Sequence, residues 1–243
     1  MISPLKVSYS IYLFYHDVNI IFTHIKCINI TKGRHMSEIT IPSIRETLRI
    51  QRWDDHRYYH HSRINQFLHL ISATSFLIAY VYLFINPVIS SYIAWFVAMT
   101  TRQIGHFFFE PDGYDEYNKA TFEYKEKIKV GFNLKRKRVL IACWAAVPVL
   151  AYFDAELFNF IMPDASPDTL FNRIGWGWLW LGVAGVIFRM IQLTAIDSRR
   201  TAITWCIKII TDPFHDVIIY RKSPIYLMRG QLIDPDLRQD YED

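Results

Sequence analysis

The chain has 243 residues, 51% hydrophobic and 16% aromatic, with a net charge of +4; averages of this kind fit a soluble domain, so the clustering of apolar residues decides the class. The three cysteines, Cys27, Cys143 and Cys206, are far apart and odd in number, which excludes a disulfide framework or a thiolate metal pair and leaves packing as their role. The basic residues gather in loops and alternate with Glu116, Glu123 and Glu126, a pattern that speaks for membrane topology and against a nucleic-acid partner.

In residues 1–35, His16, Asp17, Asn19 and His24 interrupt the apolar stretch, so neither a signal-peptide core nor a spanning helix fits. Met36-Ser37-Glu38 reads as an ordinary start, and one expectation is that 1–35 is an extension outside the natural product. A cytoplasmic segment, 36–63, follows. Ser43 is expected to cap its helix, with Glu46 completing a capping box. Ile44, Leu48 and Ile50 to Trp53 form a loose apolar stripe opposite Arg45, Arg49 and Arg52. That stripe suits either the membrane surface or packing on the protein itself.

Between Arg63 and Arg102 there is no formally charged residue. A run of about 38 residues, at about 1.5 Å per helical residue, crosses a bilayer core of about 30 Å and returns. Asn86-Pro87 marks its turn, so 64–109 is a membrane hairpin with legs at about 64–86 and 88–109. A charged loop, 110–138, leads to a second hairpin, 139–196. Its first leg is Val139 to Phe153, broken by Pro148; its second runs from Ile174 through Arg189 to about Ile196. The tail, 197–243, is mixed. Lys and Arg are dense in the N-terminal segment, the 110–138 loop and the tail, and sparse in the other connections. The expected fold is therefore all-α and multi-pass, with four membrane helices in two hairpins and both termini cytoplasmic.

This topology returns His106 and Glu110 to the face that holds His60 and His69. A lone histidine at a helix end is usually structural, but several at one membrane face beside Asn65, Glu110, Asp212 and Asp216 need partners, and a metal ion is one. Asn65 and His69, like His106 and Glu110, share a helix face. His60 and His69 are nine apart and converge only if the helix breaks between them, which Ser62 can bring about by capping a new helix; if the helix runs through, His61 takes the place of His60. His215, within Asp212-Pro213-Phe214-His215-Asp216, is a further candidate ligand. Arg102 and Arg189 near the cytoplasmic helix ends either snorkel to the headgroups or bind an acid's carboxylate.

Tyr59-His60-x4-Asn65-x3-His69, followed one hairpin later by Gly105-His106-x3-Glu110, resembles the 2-hydroxy fatty acid dioxygenase family over about residues 55–112. The resemblance implies an Fe(2+) enzyme that uses O2 to remove one carbon from a long-chain 2-hydroxy fatty acid. His60, His69 and His106 would inherit the metal-ligand role, and Glu110 a ligand or supporting role; Glu110 and Asn65 are the candidate catalytic residues. The chain departs from the family pattern at Ser62-Arg63 and at Pro111-Asp112-Gly113. Two other readings stand beside it. His56-x3-His60-His61 matches one box of a membrane di-iron hydroxylase or desaturase, and a non-enzymatic scaffold or lipid-binding protein would use its histidines as polar glue. Partners are then a fatty acid or other lipid, O2 and membrane lipid, and self-association is compatible with the sequence.

Overall fold

Ser43 begins the first helix as its position requires. In a computed structural model describing residues 42–234, apart from 111–112, 117, 132, 155 and 164–165, its hydroxyl accepts from the Glu46 amide at 3.1 Å and caps α1 (Ile44–Tyr59). The Glu46 carboxylate pairs with Arg49. Of the two placements expected for this helix, the structure has the packed one. Gln51, His56, Tyr58 and Tyr59 are buried and Arg52 reaches Asp212, while Ile44 and Ile50 stay exposed. The Met36 start, His16, His24 and His35 lie outside the described residues, as do Pro111 and Asp112.

α2 (Arg63–Ile85) starts on a Ser62 cap and ends at Asn86. The Asn86 side chain accepts from the amides of Val88 and Ile89, and Pro87 takes the first helical position, where a missing N–H costs nothing. The expected hairpin is thus present. Its second leg runs without interruption through α3 (Pro87–Tyr92), a π-helical segment π1 (Ile93–Met99) and α4 (Thr100–Phe108). After the short α5 (Phe122–Ile128) come α6 (Leu134–Phe153), α7 (Glu156–Asn159) and α8 (Leu170–Ile196).

Pro148 lies inside α6 and leaves the carbonyl of Trp144 without its helical donor. The Trp178 indole donates to that carbonyl at 3.0 Å, and the Trp95 indole donates to the Trp178 carbonyl at 2.9 Å. These bonds tie α6, α8 and π1 together around Trp95, Val147, Ala151, Phe158 and Trp178. Gly177 makes the contact: a Cβ there would stand 2.6 Å from Phe158 and 2.8 Å from Val147.

The tail does not remain a mixed coil. Ser198 caps α9 (Arg199–Tyr220), which packs on α1, α2 and α8, and α10 (Ser223–Met228) packs back on α2. Asp234 then donates its amide to the His61 carbonyl. α9 buries Lys208, Asp212, Asp216 and Tyr220 on one face and exposes Ile203, Ile207, Ile210, Phe214 and Ile218 on the other.

Among the described residues the protein is helical, with isolated bridges and no strand. Two helices, Arg63–Ile85 and Leu170–Ile196, are long and apolar enough to cross a membrane, two and not the expected four. The 87–108 leg is divided by its π segment, and α6 opens on Lys135-Arg136-Lys137-Arg138, so neither reaches that length and hydropathy as one helix. Only 28% and 11% of the two apolar windows are buried, unlike the core helices of a soluble protein.

Candidate metal centre

The break foreseen at Ser62 is what assembles the centre. α1 ends at His60, whose backbone leaves the helical region at φ −120°, ψ 36°, and α2 begins again at Arg63. Asn65 holds the joint by donating its amide to the Tyr59 carbonyl at 2.7 Å, and Gln66 donates to the His60 carbonyl at 2.9 Å. His60 is thereby folded back over His69. The hairpin brings in His106 on α4, where Gly105 lets the helix pass against Asn65; a Cβ at that position would overlap the Asn65 Oδ1.

One ring nitrogen from each of His60, His69 and His106 lies within 4.8 Å of the others, and all three side chains are buried. His60 Nε2 and His69 Nε2 are 3.2 Å apart. The far side of each ring faces an oxygen. His60 Nδ1 donates to the Asp55 carbonyl at 2.9 Å, His106 Nδ1 donates to Glu110 Oε2 at 2.8 Å, and His69 Nδ1 stands 3.7 Å from Asp216 Oδ2. A carbonyl or a carboxylate only accepts, so the Nδ1 protons of His60 and His106 are fixed and their Nε2 lone pairs point inward. Burial, with His69 beside it, holds the His60 imidazole well below its ordinary value and keeps the ring neutral. If His69 also carries its proton on Nδ1, toward Asp216, three lone pairs converge and could hold a cation. If the proton is on Nε2, it bridges to His60, and a bare His69 Nδ1 with no hydrogen-bond partner faces a carboxylate. Oxygen partners behind ligating imidazoles are how metal sites fix ring and tautomer, so the cluster fits a metal ion. Neutral imidazoles suit a divalent first-row ion, and the donor set does not choose among iron, zinc, copper and nickel.

Glu110 stands behind His106. Its Oε1 is 2.8 Å from Lys129 Nζ, and Lys137 Nζ lies 3.4 Å from its Oε2. Opposite, beside His69, Lys208 joins Asp55 at 3.2 Å and Asp212 at 2.5 Å. Arg52 reaches Asp212 at 3.2 Å and Arg102 reaches Asp216 at 3.4 Å. Burial pushes the Asp55 carboxyl up, but Lys208 and the surrounding cations outweigh it and hold it well below the usual range. The Tyr220 ring stands 5.7 Å from His60 and 6.2 Å from His69.

Of the three histidines, His106 lines a cavity of about 530 Å³ between the helices. His106, Arg102, Lys129 and Lys137 line it along with a long apolar wall that includes Phe76, Trp95, Leu140, Trp178, Val186 and Ile209. Cavities of this size hold small-molecule ligands.

Not every sequence candidate joins the centre. His215 is outside the three-histidine cluster; its neighbour Asp216 takes the inward position, about 100° away around α9. His215 lies instead beside Arg52, Asp212 and Tyr220. Arg189 is fully buried and committed, donating to the carbonyls of Val130 and Gly131 and to Gln192, so it clamps the loop before α6 and does not line the cavity. Asn65 positions the helix joint and does not line the cavity either. Of His56-x3-His60-His61, only His60 enters the cluster: His56 bonds the Tyr220 hydroxyl at 3.0 Å, and His61 faces Asn118 and Asp115. Sequence reasoning missed Asp55, Lys129, Lys137, Lys208 and Tyr220. For α9 a signal existed, since Lys208, Asp212, Asp216 and Tyr220 recur every four residues and share one face.

Comparison with family models, with curated proteins and with solved structures finds no match to this chain.

Proposed function

We propose that the protein is an integral-membrane Fe(II)-dependent dioxygenase that shortens long-chain 2-hydroxy fatty acids by one carbon. The observation that carries this reading is the inward set of imidazole lone pairs at the head of an apolar cavity. His60, His69 and His106 would hold the ion, with the Asp55 carbonyl, Asp216 and Glu110 orienting their rings. Bound ferrous iron would supply the redox capacity for activating O2. In the overall reaction the C1–C2 bond breaks, C1 leaves as CO2 and C2 is oxidised from alcohol to carboxyl. Those four electrons reduce O2, one oxygen atom entering the new acid and the other leaving as water. No further reductant is needed. The apolar wall keeps the tail out of water, at about 0.8 kcal/mol per buried CH2, and places the polar head beside His106.

In this reading the 87–108 and 134–153 helices cross the membrane with α2 and α8, and the basic segments face the cytoplasm. Single cysteines at 162–173 and within 110–138 should be labelled from opposite sides; labelling of both from one side would overturn the topology.

The activity is tested with purified, iron-loaded protein, following oxygen consumption and product mass. The 2-hydroxy acid should yield the acid one carbon shorter, and the plain acid of equal length should not react. Insertion of a hydroxyl into the plain acid would instead support the hydroxylase. Silence with both, together with an absence of bound metal, would return the His60–His69 contact to a shared proton and the protein to a lipid-binding scaffold.

A further inference from the structure

The charges around the cluster divide into two groups. On the His69 side, Arg52, Arg102 and Lys208 meet Asp55, Asp212 and Asp216, and each cation has its own carboxylate or shares two. On the His106 side, Lys129 and Lys137 share the single carboxylate of Glu110. Both lysines are buried and both line the cavity. An ammonium taken out of water is costly unless an anion comes with it, so this half is one negative charge short among the described residues. Gln51 and Gln103 line the same cavity, and each has a buried amide oxygen with no hydrogen-bond donor; a carboxylate cannot supply one, whereas a hydroxyl next to it can.

We propose that Lys129 and Lys137 are the seat for the carboxylate of a long-chain acid whose tail fills the cavity. The inference rests on the acyl-substrate reading above and assigns the head group to this pair, not to Arg102. Arg102 has Asp216 as its counter-ion. The lysine pair has one carboxylate between two ammonium groups, with the Tyr59 ring 3.3 Å from Lys129, and it adjoins His106 through Glu110, so a carboxylate seated there lies next to the cluster. A single carboxylate completes the balance; an ester, an alcohol or a zwitterionic head does not.

The test needs no turnover. Trp95, Trp178 and Trp205 line the cavity, so a brominated long-chain fatty acid bound there should quench their fluorescence. The probes are that acid, its methyl ester and the corresponding alcohol, titrated into the full-length protein in detergent with and without added iron. The acid should bind at least about 10-fold more tightly than the ester or the alcohol, as expected for a charge-assisted contact worth about 1.4 kcal/mol or more. Lys129→Met and Lys137→Met should each reduce or abolish that preference with little change in ester binding, and Arg102→Met should keep it. Equal affinity of wild-type protein for all three probes would overturn the lysine seat while leaving the acyl cavity standing. Loss of the preference in Arg102→Met alone would overturn it in favour of the arginine. No quenching by any probe would remove the acyl cavity itself, and with it the substrate proposed for the enzyme. The acid–ester comparison in wild-type protein stands even if a lysine variant fails to fold.

Discussion

The two ends of the helix bundle are held together by different chemistry. At one end, Trp95, Trp178, Val147 and Phe158 interlock, and two indole N–H groups donate to helix carbonyls, one of them freed by Pro148. At the other, histidines, lysines and aspartates are buried at comparable depth, and they are held by partners one helical turn away, as for His106 and Glu110, or distant in sequence, as for Lys208 and Asp55. Burying apolar rings stabilises the fold by itself, at roughly 25 cal/mol per Å² removed from water. Buried ions stabilise little and can cost. The aromatic end therefore holds the structure, and the polar end contributes little to it.

Exchanging damage between the ends tests this division. Trp178→Ala should have the largest effect on the fold, about 3–5 kcal/mol, with metal stoichiometry retained in the fraction that remains folded. His106→Ala should do the reverse, lowering metal binding while leaving the metal-free protein helical. The stabilisation lost is then only the ligand's own, about 3–4 kcal/mol at metal concentrations of about 100 to 1,000 times Kd. If His106→Ala unfolds the metal-free protein, or Trp178→Ala empties the centre without destabilising it, the division fails.

Smaller changes sharpen the contrast. Glu110→Gln should weaken metal affinity by about 10–100-fold, because His106 loses its charged partner and two lysines lose their common anion. Gly105→Ala should cost about 1–3 kcal/mol in stability and loosen the centre, since the added methyl overlaps Asn65. Undiminished metal affinity in Gly105→Ala would mean that the glycine serves something else. The smallest effect is one of pH. Burial holds the His56 imidazole below its ordinary value, so from about pH 6.5 downward the unfolded chain takes up a proton that the folded protein refuses. Stability should fall as pH drops through that window, by at most about 1.4 kcal/mol per unit for this group. His56→Gln should flatten the slope in detergent melts, and an unchanged slope would remove His56 from the account.

The sequence carried the hairpin and its histidines well, because the signals are local. An uncharged run, Asn86-Pro87 at its turn and Ser62 as a restart suffice to bring His60, His69 and His106 together. The lysines around Glu110 were not readable. Lys129 and Lys137 stand in a run that looks solvated, and only the fold shows that Glu110 draws both inward. Arg189 differs for the complementary reason: an arginine near the end of an apolar helix reads as snorkelling to headgroups or as a seat for an acid's carboxylate, yet backbone carbonyls of a loop distant in sequence occupy it. α9 lies between these cases. Its four-residue spacing is present in the sequence, but the tail reads as mixed, and only the fold shows one helix through Pro213 packed on α2.

The π-helical segment Ile93–Met99 gives this leg room for a change in length. A π turn holds more residues than the α turn that would replace it, so deleting a single residue there restores a regular helix. Because the wide turn absorbs the extra residue, everything downstream then keeps nearly the same face, and Gly105 still meets Asn65 and His106 still meets His69. The same deletion early in Thr100–Phe108 finds no slack and turns whatever follows it by about 100°. Among related chains, a one-residue difference between 93 and 99 should therefore be compatible with the three histidines, and one between 100 and 105 should not.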